Sequence, residues 1–132
     1  MQDCDLKFNN INNKKMKRII LIMAVLISTI TFSQNKNAKA TIEVDGVCMM
    51  CKERIEKAAI KTKGVKFANW DVKTHELKLI FDEEKTNLKS VQQSIADVGH
   101  DTKEIKATDE AYNSVHPCCM YRDDTVKKDH KD

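Results

Sequence analysis

From position 40 the chain alternates. Apolar Ala40, Ile42 and Val44 are separated by polar Thr41 and Glu43, the period of a half-buried strand, and the spacing predicts a strand from Lys39 to Val44. Beyond Cys51 the period lengthens. Ile55, Ala58 and Ala59 recur at steps of three and four with charges on the other faces, which predicts a helix from Met50 to about Lys63 with Gly64 as its C-terminal cap. From Val65 the period returns to two, with Val65, Ala68 and Trp70 directed inward and one irregular step near the start. Lys73-Thr74-His75-Glu76 is polar and reads as a turn, after which Leu77, Leu79 and Phe81 form the apolar face of a third strand. Thr86 or Asn87 caps a second helix carrying Leu88, Val91, Ile95 and Val98 on one face, ended by Gly99, and Thr102 to Lys106 reads as a short fourth strand. The order strand, helix, strand, strand, helix, strand predicts an α+β fold of ferredoxin-like βαββαβ type. In it, two helices cover one face of a four-stranded antiparallel sheet.

The residues before this domain have another pattern. Lys14-Lys15-Met16-Lys17-Arg18 is basic, and Ile19 to Ile30 is an apolar run, shorter than the roughly 20 residues of a good membrane span. Together they read as a signal peptide, with Thr31-Phe32-Ser33 placing cleavage after Ser33. The alternative is an uncleaved N-terminal anchor. Met16 fits as a start, which makes residues 1–15 an overhang. The domain plan is therefore residues 1–33 as leader, 39–106 as the folded domain and 107–132 as a C-terminal tail. The protein is expected to be periplasmic or secreted, free of the membrane once cleaved.

Composition changes the picture in two places. One third of the residues are charged and only 5% aromatic, so the core must come mainly from Val, Ile, Leu and Ala. The formal charge of +3 belongs to the leader: without Lys7, Lys14, Lys15, Lys17, Arg18, Asp3 and Asp5, basic and acidic residues balance. A neutral domain without a basic stripe is a poor binder of nucleic acid, and that class is excluded.

The chemistry gathers at cysteines. Cys48-Met49-Met50-Cys51 stands where the first strand ends and the first helix begins, with Gly46 allowing the backbone to turn. Unpaired backbone N–H groups at a helix N-terminus favour a thiolate there, and two thiolates on one loop can converge on a soft ion. Cys118 and Cys119 lie in the tail within His116-Pro117-Cys118-Cys119-Met120. Neither pair closes a loop long enough for a stabilising disulfide, and bonded cysteines want Cα atoms farther apart than the ~3.8 Å of neighbours. A bridge between the pairs remains open, as does a tail whose cysteines are incidental.

Residues 39–106 resemble the heavy-metal-associated domain, the module of copper chaperones, of the N-terminal repeats of metal-exporting ATPases and of the periplasmic mercury-scavenging protein. The positions that carry the resemblance are Gly46-x-Cys48-x-x-Cys51, Gly64-Val65, Trp70-Asp71, Phe81-Asp82 and Ile95 through Gly99-His100. The chain departs from that family in lacking the Met that props the metal loop, a place for Val44 or Val47, and in carrying His100 where Tyr or Lys is common. The resemblance implies a metal-binding protein rather than an enzyme, with a metal-transporting ATPase or another metal-binding domain as partner.

Cys48 and Cys51 are the expected metal ligands. His100 is expected beside them as a third ligand or a supporting donor, and His116, Cys118 and Cys119 either close over the same site or build a second. Met49 and Met50 are expected to shield the loop, and His75 to be a surface residue. Two thiolates favour Cu(I) over zinc, which takes four ligands; Hg(II) or Zn(II) is the alternative cargo. A thiol–disulfide redox protein would use the same C-x-x-C, but thioredoxin-like enzymes place a cis-proline beside it, and the single proline, Pro117, lies in the tail.

Overall fold

The computed structural model describes residues 14–20 and 34–130. Residues 14–20 form a solvent-exposed helix, α1, in a unit of the chain separate from residues 34–132. The apolar run of the proposed leader beyond Ile20, its cleavage site and Cys4 lie outside the described residues. No helix among them is long and apolar enough to cross a membrane.

In the second unit the elements follow the hydrophobic pattern closely. Strand β1 is Ala38–Glu43, helix α2 is Met49–Lys61, β2 is Val65–Trp70, β3 is Glu76–Phe81 and α3 is Leu88–Asp97. The strands pair antiparallel in the order β1-β3-β2, so the most apolar strand is central. Leu77, Leu79 and Phe81 of β3 are buried, as are Ile55, Ala58 and Ala59 of α2 and Val91 and Ile95 of α3. These side chains form one core between sheet and helices. The irregular step expected in β2 is a bulge between Val65 and Phe67, which leaves Phe67 exposed and turns Ala68 and Trp70 inward. Asn87 caps α3, its side chain accepting from the Ser90 N–H.

Three expectations are corrected. The expected fourth strand, Thr102 to Lys106, does not form: the sheet has three strands, and Thr102 makes only an isolated antiparallel bridge to Val44. The Thr102 hydroxyl accepts from the Ile105 N–H and the Thr102 N–H donates to the Ile105 carbonyl, a tight local turn that withdraws these backbone groups from the sheet. His75 is half-buried rather than a surface residue. It adopts a left-handed backbone (φ 59°) at the hairpin and stacks on Trp70, ring centroids 5.8 Å apart. Helix α2 begins at Met49 and ends at Lys61, with Thr62 at the cap in place of Gly64.

Within the described residues, 107–130 of the tail carry defined structure. They hold helix α4 (Asp109–Asn113), a 3₁₀ turn at Pro117–Cys119 and helix α5 (Asp124–Asp129). Because no fourth strand carries the chain across the sheet, the tail starts beside the loop that precedes α2. The Asp45 N–H donates to the Asp101 carbonyl, and the Asp101 carboxylate accepts from the Ala107 N–H at 2.7 Å. Val115 and Cys119 then join the main core.

Candidate metal centre

Cys48 is the N-cap of α2, in extended backbone (φ −147°, ψ 173°), and Cys51 lies in the first turn with its side chain fully buried. Trp70 sets the loop's position. Its ring is completely buried, its indole N–H donates to the Val44 carbonyl at 3.1 Å, and its backbone N–H donates to Glu56. A Cβ on Gly46 would stand 2.9 Å from this ring and 3.0 Å from the Cβ of Cys51. Gly46 is thus needed for close approach of the loop to Trp70, not for a left-handed turn; the positive-φ glycines are Gly64 and Gly99. Of the two valines expected to fill the space below the loop, Val44 is buried in the core and Val47 is half-buried against it, and the Trp70 ring lies beside Gly46.

The tail is fastened to the same end by Tyr121, buried although it stands near the C-terminus. Its hydroxyl donates to the Gly99 carbonyl at 2.9 Å and accepts from the Asp101 N–H at 2.8 Å. Its ring stacks on His100 (centroids 5.5 Å) and meets Tyr112 edge-on (5.2 Å). Arg122 forms a two-point ion pair with Asp101 at 2.8 and 3.2 Å and covers the Tyr112 ring at 4.3 Å. Gly99 has no Cβ to obstruct α4: one would lie 2.6 Å from both the Ala111 carbonyl and Val115.

This docking delivers the tail cysteines to the loop. The Cys48 sulfur lies 3.3 Å from that of Cys51, 3.5 Å from Cys119 and 3.8 Å from Cys118, while the Cys118 and Cys119 sulfurs are 3.9 Å apart. All four cysteines are free thiols. In the 3₁₀ turn neighbouring side chains diverge, so Cys119 enters the core while Cys118 faces outward, and both flank Cys48. The His116 carbonyl accepts from the Cys119 N–H at 2.7 Å and its Nδ1 accepts from the Cys118 N–H, holding the turn closed. Cys48, Cys118 and Cys119 stand close enough to share one ion. A metal–sulfur bond of about 2.3 Å puts the sulfurs of a trigonal or tetrahedral site about 3.8–4.0 Å apart, close to these separations.

Electrostatics set Cys48 apart as the cysteine whose pKa is lowered. Burial by itself would raise its pKa, but the Cys51 N–H and the thiols of Cys51, Cys119 and Cys118 donate to its sulfur and bring the pKa below the ordinary value. Burial raises Cys51 and Cys118, and raises Cys119 most, with Cys51 and Cys48 adding to the rise at Cys119. Cys48 is therefore the most readily deprotonated of the four, and an incoming cation displaces the thiol protons that remain.

The remaining candidates separate. His116 belongs to the cluster, its Nδ1 being 3.2 Å from the Cys118 sulfur. Met50, although exposed, brings its sulfur within 3.5 Å of Cys118, whereas Met49 faces solvent. His100 is not brought to the sulfurs. It is fully buried, bonds the Asp45 carbonyl through Nδ1 at 2.9 Å, and burial keeps it neutral by lowering its pKa. It supports the loop's backbone and the tyrosine of the tail. Met120 packs partly buried against the core. Tyr121, Asp101 and Arg122 had no role in the pattern of the sequence; the available signal was the apolar residues Tyr112, Val115, Met120 and Tyr121 in a largely charged tail.

Comparison with known proteins follows the same division of the chain. The pattern of the heavy-metal-associated domain matches residues 41–101. The copper chaperone CopZ of Staphylococcus saprophyticus is 33% identical over 67 residues, covering 50% of this chain and 98% of that protein. CopZ of Staphylococcus haemolyticus is 30% identical over 63 residues, 47% of this chain and 93% of that protein. Among solved structures, oxidised MerP from Ralstonia metallidurans CH34 is 26% identical, with a TM-score of 0.49 over 51% of this chain and 94% of that one. Cys118 and Cys119 lie beyond the matched domain pattern.

Proposed function

Because the chain belongs to the heavy-metal-associated domain family, we propose that it is an exported carrier of a soft metal ion, Cu(I) first, that scavenges the ion or hands it on. The observation that carries this reading is the convergence of Cys51, Cys118 and Cys119 on Cys48, each sulfur within 3.8 Å of it. Thiolates select soft cations, and the relatives named as copper chaperones support copper. Periplasmic or secreted placement rests on the basic-apolar leader before residue 34. Uptake forms metal–sulfur bonds at Cys48 and its neighbours and releases the thiol protons to solvent. Transfer proceeds by exchange: thiolates of a metal-transporting ATPase or of another metal-binding domain replace these sulfurs one at a time. Two tail thiolates beyond the C-x-x-C raise affinity and slow release, which suits a scavenger better than a fast shuttle.

The test is an anaerobic Cu(I) titration of the reduced protein against a chromophoric chelator. Wild type is expected to outcompete the chelator. Cys48→Ser is expected to lose tight binding while its urea unfolding midpoint is nearly unchanged, because Cys48 stands on a half-buried loop. Tight binding that survives the Cys48→Ser/Cys51→Ser pair would refute the site. A second reading, a closed zinc site, is favoured by the count of four sulfurs, which removes the argument that two thiolates are too few for zinc. Parallel Zn(II) titration decides between them: a zinc site binds one Zn(II) tightly in four-sulfur coordination, whereas a Cu(I) carrier binds Zn(II) weakly.

A further inference from the structure

The C-x-x-C loop and its closure by the tail leave two soft donors unused. Met50 and His116 both lie against Cys118, on the outer side of the cluster. Resting on the copper reading above, we propose that the protein carries two Cu(I) ions, an inner one on Cys48, Cys51 and Cys119 and an outer one on Cys118, Met50 and His116.

Burial divides the donors in this way. Cys51 and Cys119 are 0% and 1% exposed, and Cys48, half-buried, is within 3.5 Å of both. Met50 is 48% exposed and His116 is exposed, with Cys118 between them at 3.5 and 3.2 Å. Cu(I) is satisfied by three soft donors, so six donors make two complete sets with none shared and none left over. A single ion on Cys48, Cys51 and Cys119 leaves the Cys118 thiol, the Met50 thioether and the His116 imidazole facing each other without a task.

The outer set is already arranged. Nδ1 of His116 lies 3.2 Å from the Cys118 sulfur and makes only a long 3.4 Å contact with the Cys118 N–H, which metal binding exchanges for a bond to the ion. Met50 stands on the first turn of α2, outside the core, with its sulfur on the same thiol. Cys118 also lies 3.8 Å from Cys48 and 3.9 Å from Cys119, which makes the two sets neighbours. Filling both sets displaces the protons of the four thiols to solvent, and two cations offset four thiolate charges better than one does. The outer set, being exposed, is the one from which an ion enters or leaves.

The reduced full chain is titrated with Cu(I) under a competing chelator, and copper X-ray absorption is recorded at saturation. Wild type is expected to bind two equivalents, with imidazole scattering from one ion of the two. Met50→Ala/His116→Asn is expected to bind one, in all-sulfur coordination, the Asn oxygen keeping an acceptor for the Cys118 N–H that holds the turn closed. One equivalent in both proteins overturns the outer site and leaves the copper reading standing. Two equivalents retained by the double variant also overturn it. No tight binding by either protein overturns the copper reading itself.

Discussion

Tyr121→Phe tests whether the tail is held as described. The substitution keeps the ring, and with it the contacts to His100 and Tyr112, and removes only the hydroxyl. That hydroxyl pairs the Asp101 N–H at 2.8 Å and the Gly99 carbonyl at 2.9 Å, in a region where Tyr121, His100 and Asp101 are all buried. Leaving a buried backbone group unpaired costs about 1–3 kcal/mol each, so two groups cost about 2–4 kcal/mol after local relaxation. The cost falls on docking of the tail. Hydrogen exchange of the Cys119 amide, which donates to the His116 carbonyl in the turn beside the sulfurs, reports that docking directly. At about 1.4 kcal/mol per factor of ten, its protection should fall roughly 30- to 700-fold in the apo protein. Bound metal ties the tail through Cys118 and Cys119 and should restore much of that protection. A change below about threefold in the apo protein would show that Tyr121 is not the anchor and that the cysteines meet for another reason.

Trp70→Ala removes the largest fully buried side chain beneath the metal loop and should cost about 3–5 kcal/mol, read as a lower urea midpoint; a loss of a few tenths would contradict the packing described. Gly46→Ala forces a methyl against that ring and should destabilise by about 1–3 kcal/mol by overpacking, with Cu(I) affinity falling as the loop shifts; a neutral result would show free space at Gly46. The Asp101–Arg122 pair predicts an acid dependence. Burial by itself would raise the Asp101 carboxyl, but Arg122 and the Ala107 N–H hold it below the ordinary value. A group depressed on folding contributes stability that is present above the unfolded value of about 3.9 and is lost as pH falls through the lower folded value. The gap in urea midpoint between wild type and Asp101→Asn should therefore be wide near pH 6 and close below about pH 4. A gap constant with pH would remove the ion pair from the explanation.

Much of this protein is local and was legible. Alternation at Leu77, Leu79 and Phe81 placed the central strand, steps of three and four placed both long helices, and the offset at Val65 marked the bulge, because each signal depends on one face of one element being buried. That Cys48 and Cys51 would converge was legible, since two positions three residues apart at a helix N-terminus bring their sulfurs together, here to 3.3 Å. What lay beyond reach was any outcome set by a contact between distant segments. Thr102 to Lys106 has the composition of a strand, but a hydroxyl three residues from Ile105 closed a turn before pairing could continue. His100 stood next to the metal loop by topology and was drawn instead into the core by the Asp45 carbonyl and the Tyr121 ring. The tail's cysteines had the right chemistry in the sequence, and their place was undecided. It was decided by Gly99, which admits α4, and by Tyr121 and Arg122, which bind the tail to residues about 20 positions earlier. A donor's identity is written in the residue, whereas the company it keeps depends on which backbone groups elsewhere are left for its neighbours to satisfy.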